Sequence, residues 1–158
     1  MTEQENKAPE AAGQKQEGKF SIHKIYVKDI SFEAPNSPGI FQEQKQPSVN
    51  LDLSSGARGV DKNYYEVVLT VTVTMTSDDK TVYLVEVQQA GIFYLEGFPD
   101  AMVERMLATM CPNILFPFAR ELVADMVTRG GFSQLLLAPV NFEALYQQQQ
   151  REKQKTKH

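Results

Sequence analysis

The feature that most constrains the fold is a pair of alternating segments, residues 64–76 and 81–95, joined by the turn sequence Ser-Asp-Asp-Lys. In the first segment, apolar side chains occupy every second position, and threonines or a glutamate occupy most positions between them. Such alternation predicts strands, because successive side chains of a strand point to opposite faces. A short polar turn makes the two strands antiparallel neighbours. The chain is therefore expected to build an antiparallel sheet with one buried face and one wet face.

Two further strands are predicted before this hairpin. Residues 20–33 alternate, and the spacing places Asp29 and Glu33 on one face of the strand. Residues 49–53 predict a short strand that leads into a loop over residues 54–62. Between the two strands lie Pro35, Pro38 and Pro47. Prolines at this density disfavour a helix or a central strand, so the segment is expected to be an extended crossover loop.

The C-terminal half of the chain predicts helices. Apolar residues recur at helical spacing over residues 100–110 and 113–129, and Gly130-Gly131 ends the second run. Asn141 is a good N-cap for a last helix. Runs of strands followed by runs of helices are typical of an α+β domain. The predicted fold is a four-stranded antiparallel sheet with helices packed on one face.

Composition limits the kind of protein this chain can be. Residues 1–19 are predicted to be a disordered tail, residues 20–147 the folded domain, and residues 148–158 a polar, basic tail. A net charge of −4 argues against a nucleic-acid binder. No apolar run approaches the length of a membrane span, and one cysteine cannot form an internal disulfide. We expect a cytoplasmic protein without direct membrane insertion.

Candidate chemistry in the sequence is sparse. His23 falls on the wet face of a strand, His158 is the last residue, and Cys111 has no neighbouring histidine. An active site needs a nucleophile, a base or a metal within reach of one another, so the chain is predicted not to be an enzyme and to hold no metal or cofactor. A competing interpretation remains, namely an α+β enzyme or small-ligand-binding domain with an apolar pocket, such as a thioester-handling fold.

Six sequence blocks carry a resemblance to a known family. In chain order they are KDISFEAPNSP, YEVVLTVTVT, EVQQAGIF, CPNILFPFARELV, VTRGGF and LAPVNFEALY. These blocks are similar to those of SecB, the bacterial protein-export chaperone family, and they cover about residues 20–146 in one order. The resemblance implies a SecB-like fold and a homotetramer, built as a dimer of dimers, with the helices between two sheets. It also implies an ATP-independent chaperone that holds unfolded preproteins and delivers them to the translocase motor SecA.

Two surfaces follow from the residues together with the resemblance. Apolar side chains in segments expected to be loops or element ends either fill the core or line a groove. The resemblance favours a client-binding groove between the crossover loop and the last helix. Its predicted residues are Ile40, Phe41, Phe132, Leu136, Phe142 and Tyr146. The family docks the basic, zinc-holding tail of SecA with carboxylates and a leucine. At the matching places this chain has Asp29, Glu33, Leu84 and Glu86.

The chain departs from the family at two places. The resemblance implies a tryptophan or other large aromatic residue in the crossover loop, but the chain has no tryptophan, and Lys45 is near that place. Phe41 is then the only aromatic residue of the loop. The family tail is acidic, whereas the tail here is basic through Arg151, Lys153, Lys155 and Lys157.

Overall fold

A computed structural model describes residues 17–43 and 46–156. Predictions for residues 1–16 and for Lys45, Lys157 and His158 lie outside this part of the chain. The described strands are β1 (Lys19–Glu33), β2 (Ser48–Asp61), β3 (Tyr64–Ser77) and β4 (Lys80–Glu96). The helices are α1 (Asp100–Ala108), α2 (Met110–Arg129) and α3 (Phe142–Lys155), and Gly39–Gln42 forms a short 3-10 turn.

The four strands form one antiparallel sheet in the order β1-β4-β3-β2. β1 and β2 are the two edges, so the segment between them crosses from one side of the sheet to the other. The predicted hairpin is confirmed as β3 and β4, with Asp78 and Asp79 both at positive φ in the turn. Helices cover one face of the sheet, and the predicted α+β class is confirmed.

The core lies between that face and α2. The alternate residues Val67, Leu69, Val71 and Val73 of β3 have no exposed surface, and the same is true of Val85 and Val87 of β4. Gly91 of β4 marks a close approach between the sheet and α2. A Cβ atom at Gly91 would lie 3.1 Å from Cδ2 of Leu115 on α2. The glycine therefore lets the helix pack closely on the sheet.

The predicted end of β2 is wrong. β2 continues beyond residue 53 to Asp61, and residues 54–59 pair with β3 in unbroken register. Serine, glycine and alanine have low strand propensity, but an edge strand needs only one partner, and the long alternating β3 supplies the ladder. The chain then turns at Asn63, which has a φ of 65°.

The alternation predicted for β1 is wrong over residues 24–27. The register with β4 shifts between Ile22 and Lys24 and again between Val27 and Asp29. Each shift adds one unpaired residue and so exchanges the two faces. Ile25 therefore packs against the core, and Tyr26 lies on the outer face. The second shift restores the original alternation, so Asp29 and Glu33 lie on one face, as predicted.

The C-terminal end of α2 and the N-terminal end of α3 follow the sequence signals, whereas α1 ends at Ala108 and α2 already begins at Met110. The N–H of Phe132 donates to Val127 O at 3.2 Å, and that of Gly131, which has a φ of 90°, donates to Thr128 O at 3.1 Å. This is the Schellman arrangement that favours glycine. The Asn141 side chain accepts from the N–H of Ala144 at 3.0 Å. α3 extends to Lys155, so residues 148–155 of the predicted tail are helical.

Candidate binding surfaces

A first groove, here called the loop groove, lies where the crossover loop meets the C-terminal end of α2. It is a cavity of about 310 Å³ whose lining includes Ile40, Phe41, Tyr83 and Phe132. Phe132 joins the aromatic rings into a row, since its centroid lies 5.1 Å from that of Phe41 and 5.1 Å from that of Tyr83. The Tyr83 ring continues to Phe32 at 6.1 Å. Rings at these separations pack favourably beyond simple area burial.

The double glycine that ends α2 also makes room for this row. A Cβ atom on Gly131 would lie 3.2 Å from Cζ of Phe41, and one on Gly130 would overlap the ring of Phe32. The helix terminus thus helps to shape the groove. This second role of the glycines was not predicted from the sequence.

Tyr83 brings a buried hydroxyl to the loop groove. Its ring is 2% exposed, and its hydroxyl has no hydrogen-bond partner among the described residues. Burial raises the pKa of Tyr83 above its usual value, so the hydroxyl stays protonated. The remaining lining offers few polar side chains, namely Glu43, Ser77 and Ser133.

A second groove, the α3 groove, lies between β2, α1 and α3. It is a cavity of about 450 Å³, lined on the helical side by Val103, Phe142 and Tyr146 among others. The small residues 54–57 of β2 form the opposite wall. An ion pair between Arg105 and Glu143 joins α1 to α3.

The six predicted client-binding residues do not line one cavity. Ile40, Phe41 and Phe132 line the loop groove, Phe142 and Tyr146 line the α3 groove, and Leu136 lines neither. Ile40 and Phe142 are 7% and 6% exposed and belong to the core. Phe41 and Leu136 are 50% and 70% exposed, so they present the free apolar surface of the set.

The four predicted docking residues all lie on the outer face, away from the helices. Glu33 stands opposite Leu84 in the ladder, Ser31 stands opposite Glu86, and Asp29 stands opposite Gln88. Asp29 and Glu33 are exposed, whereas Leu84 and Glu86 are partly buried. The hydroxyl of Thr72 is 3.4 Å from Oε2 of Glu86. These four residues form one surface, here called the acidic patch, at one end of the β1-β4 pair.

A buried carboxylate on the same face was not predicted. Glu66 of β3 is 6% exposed and accepts hydrogen bonds from Tyr26, from Lys28 at 3.0 Å and from Arg58 at 2.9 Å. The Tyr26 hydroxyl contributes most to lowering the pKa of Glu66 to about 2, with Lys28 and Arg58 adding to it and burial opposing it. Burial and the bond to Glu66 raise the pKa of Tyr26 to about 12. The sequence predicts a loop at Arg58, so the contact between Arg58 and Glu66 could not be predicted.

Other candidate groups have simple surroundings. Cys111 has no exposed surface, and burial raises the pKa of its thiol to about 12, which keeps it protonated. Among the described residues, no three His, Cys, Asp or Glu side chains are grouped so that they could hold a metal ion. No helix in the described part of the chain is long and apolar enough to cross a bilayer.

Comparison with known proteins identifies the family. The family model described as "Preprotein translocase subunit SecB" matches residues 13–153. The protein-export protein SecB of Nitrosococcus oceani is 56% identical over 143 residues, which cover 89% of this chain and 87% of that protein. The protein of the same name from Legionella pneumophila is 50% identical over 155 residues, covering 98% of this chain and 93% of that protein.

A solved structure shares the fold. The Rv1957 SecB-like chaperone of Mycobacterium tuberculosis, in complex with a ChAD peptide from the Rv1956 HigA1 antitoxin, aligns with a TM-score of 0.65. The alignment covers 77% of this chain and 90% of that chain at 16% identity, so it supports the architecture alone. The family assignment therefore rests on the family model and on the two SecB relatives. The chain belongs to the SecB family of protein-export chaperones.

Proposed function

We propose that this protein is a non-catalytic, ATP-independent chaperone that binds non-native preproteins in the cytoplasm and delivers them to the SecA motor. The observation that supports this most is the separation of two kinds of surface. Apolar grooves lie on the helical side of the sheet, and the acidic patch lies on the outer face. A client and a partner protein can then be bound at the same time without competing for one surface.

The grooves suit clients of many sequences. Apolar contact is non-directional, so it holds an exposed hydrophobic segment without requiring a particular order of residues. Phe41 and Leu136 offer exposed apolar surface for such contacts. The peptide bound to the SecB-like chaperone of M. tuberculosis supports a peptide-holding role for this fold. The mechanism we propose is kinetic, since binding must occur before the client folds or aggregates.

The acidic patch suits a basic partner. Its three carboxylates and the apolar residue Leu84 lie in a row along the β1-β4 pair, from Asp29 opposite Gln88 to Glu33 opposite Leu84. We propose that Asp29, Glu33, Leu84 and Glu86 dock the basic, zinc-holding tail of SecA, with the zinc belonging to SecA. Contacts between exposed charges are screened by salt, so the association should weaken as ionic strength rises.

Charge reversal tests the patch. Asp29→Lys and Glu86→Lys should each weaken binding of purified SecA, measured by calorimetry at low salt, and should leave client binding and assembly intact. Glu96→Lys is the matched control, because Glu96 lies at the other end of β4 on the same face. Unchanged SecA affinity in both patch variants would remove the patch from the mechanism.

A further inference from the structure

The second bulge of β1 adjoins the acidic patch directly. Val27 pairs with Gln89 and Asp29 pairs with Gln88, so Lys28 is the extra residue between them. A β-bulge leaves its extra residue outside the ladder and sends the following residues to the opposite face. The outward position of Asp29 therefore depends on where the bulge lies.

Side chains hold this bulge from both faces of the sheet. On the core side, Gln89 is 2% exposed, and its Nε2 donates to the carbonyl of Tyr26 at 3.1 Å. On the outer side, the buried carboxylate of Glu66 accepts from the side chains of Tyr26 and Lys28. Both neighbours of Val27 are thus tied to the central strands. Glu66 is itself fixed by Arg58, directly opposite it in the ladder, through a contact of 2.9 Å.

Core packing does not by itself determine the position of the bulge. Ile25 before it and Phe32 after it both pack against the core. A bulge at Asp29 instead of Lys28 would keep both of these on the core side. It would pair Lys28 with Gln88 and would leave Asp29 as the unpaired residue. Something other than the hydrophobic pattern must therefore select Lys28.

We propose that Glu66 and Gln89, together the bulge pair, hold the bulge at Lys28 and thereby keep Asp29 in the acidic patch. They are positioning residues, because neither belongs to the patch itself. This inference rests on the proposed docking function for its consequence, whereas the bulge position can be measured independently.

Engineered cysteine pairs measure the bulge position in the full chain. Asp29→Cys with Gln88→Cys places two thiols at directly opposite positions, where a disulfide can form. In a Glu66→Gln/Gln89→Met background this pair should form its disulfide more slowly than in the otherwise unchanged chain. A Lys28→Cys/Gln88→Cys pair should form its disulfide faster in that background than in the otherwise unchanged chain. Ser31→Cys with Glu86→Cys is the control, because the packing of Phe32 on Tyr83 fixes that part of the strand. The oxidation rate of this control pair should be the same in both backgrounds.

SecA binding then tests the consequence, without added cysteines. The Glu66→Gln/Gln89→Met variant should lose SecA affinity by about the same factor as Asp29→Ala, a change on the order of tenfold. The two changes should not add, because both remove the same contact. Deleting Lys28 should rescue the affinity, since a strand without the extra residue pairs Asp29 with Gln88 without a bulge. Client binding should be unchanged throughout.

The outcomes separate the two claims. Unchanged oxidation rates in all three cysteine pairs would overturn the role of the bulge pair, whatever the SecA affinity. A displaced bulge with normal SecA affinity would overturn its consequence for docking. If Asp29→Ala alone leaves SecA binding unchanged, the docking patch is wrong, while the cysteine pairs still decide the bulge position. Loss of all three disulfides would show general unfolding and would also contradict the proposal.

Discussion

Glu66 shows how one residue combines structural and electrostatic roles. It alternates with the fully buried Val67 on β3, yet it is itself almost completely buried on the outer face of the sheet. A carboxylate can be buried only if hydrogen bonds replace its hydration, and here three donors do so. The charged form is therefore favoured by the fold.

The Glu66 contacts predict an acid-dependent contribution to stability. The pKa of this carboxyl is about 2 in the folded protein, against an ordinary value of 4.5. A depressed pKa contributes stability that is complete above the ordinary value and is lost as the pH falls toward 2. Glu66→Gln should cost about 1.5–3 kcal/mol at pH 7, the usual value for hydrogen bonds to a charged group. It should also reduce the loss of stability between about pH 5 and pH 2.

Urea unfolding at several pH values measures this dependence. Glu96→Gln is the control, since Glu96 also accepts from a tyrosine but is exposed. The wild type and the Glu66 variant should converge at low pH, and the control should follow the wild type. Parallel curves for the wild type and Glu66→Gln would contradict the account.

Phe41 gives the clearest test of whether a predicted residue binds clients or fills the core, because half of its surface is exposed. Burying that half against a client is worth about 1–1.5 kcal/mol, so Phe41→Ser should weaken client binding about tenfold. Tyr146→Ser should have an effect in the same direction. Val60→Ser, at an apolar residue that is 41% exposed and lines neither groove, should not affect binding.

Thermal unfolding accompanies the Phe41 and Tyr146 measurements. Surface substitutions usually change stability by less than about 0.5 kcal/mol, so neither midpoint should move far. A variant that mainly unfolds the protein would assign that residue to the core and remove it from the groove.

The secondary-structure elements were predictable where the periodicity was strong and local. The hairpin of β3 and β4 alternates without interruption, and α2 ends at two glycines, so both followed from the sequence. Residues 54–61 of β2 did not, because their strand is stabilised by pairing with β3 and not by their own propensity. The bulges of β1 could not be predicted, because the alternation of apolar and polar residues does not show where an extra residue lies.

The candidate surfaces were predictable to different degrees. Two bulges cancel in β1, so simple alternation placed Asp29 and Glu33 on the correct face. The client residues were predicted as one set, but they line two cavities. Phe142 packs against Phe116 of α2 with 6.0 Å between ring centroids, whereas Phe41 packs against Phe132 at 5.1 Å. Which loop residues share a cavity depends on tertiary contacts that periodicity does not encode.

Gly131 tests the link between the end of α2 and the loop groove. Its φ of 90° lies in the left-handed region, and a Cβ atom there would press on Phe41. Gly131→Ala should therefore cost about 1–2 kcal/mol of stability and should also weaken client binding. Gly59→Ala is the control, because a Cβ atom at Gly59 meets no atom within 4 Å.

Thermal midpoints at one fixed protein concentration measure the Gly131 effect. Equal midpoints for Gly131→Ala and Gly59→Ala would show that the backbone conformation at Gly131 does not require glycine.

The surface of the whole molecule supports assembly. Edge strand β1 exposes Ile22, Val27 and Ile30, and the helices expose Met102 and Phe118. Contiguous exposed apolar surface is typical of interfaces, and edge strands can pair with another copy. We propose a homotetramer, built as a dimer of dimers, in which copies of the chain cover these residues.

Light scattering at micromolar concentration tests the assembly. The mass should correspond to four chains of 17.8 kDa each. A particle of 17.8 kDa would contradict the proposed tetramer and would leave the exposed residues without an explanation.

Size-exclusion chromatography of mixtures tests most directly whether the grooves hold non-native chains. The protein is mixed, without nucleotide, with a slow-folding preprotein diluted from denaturant and, separately, with the native form of the same preprotein. We predict co-elution with the non-native form alone, and weaker co-elution for Phe41→Ser. Equal retention of both forms, or retention of neither, would contradict the account.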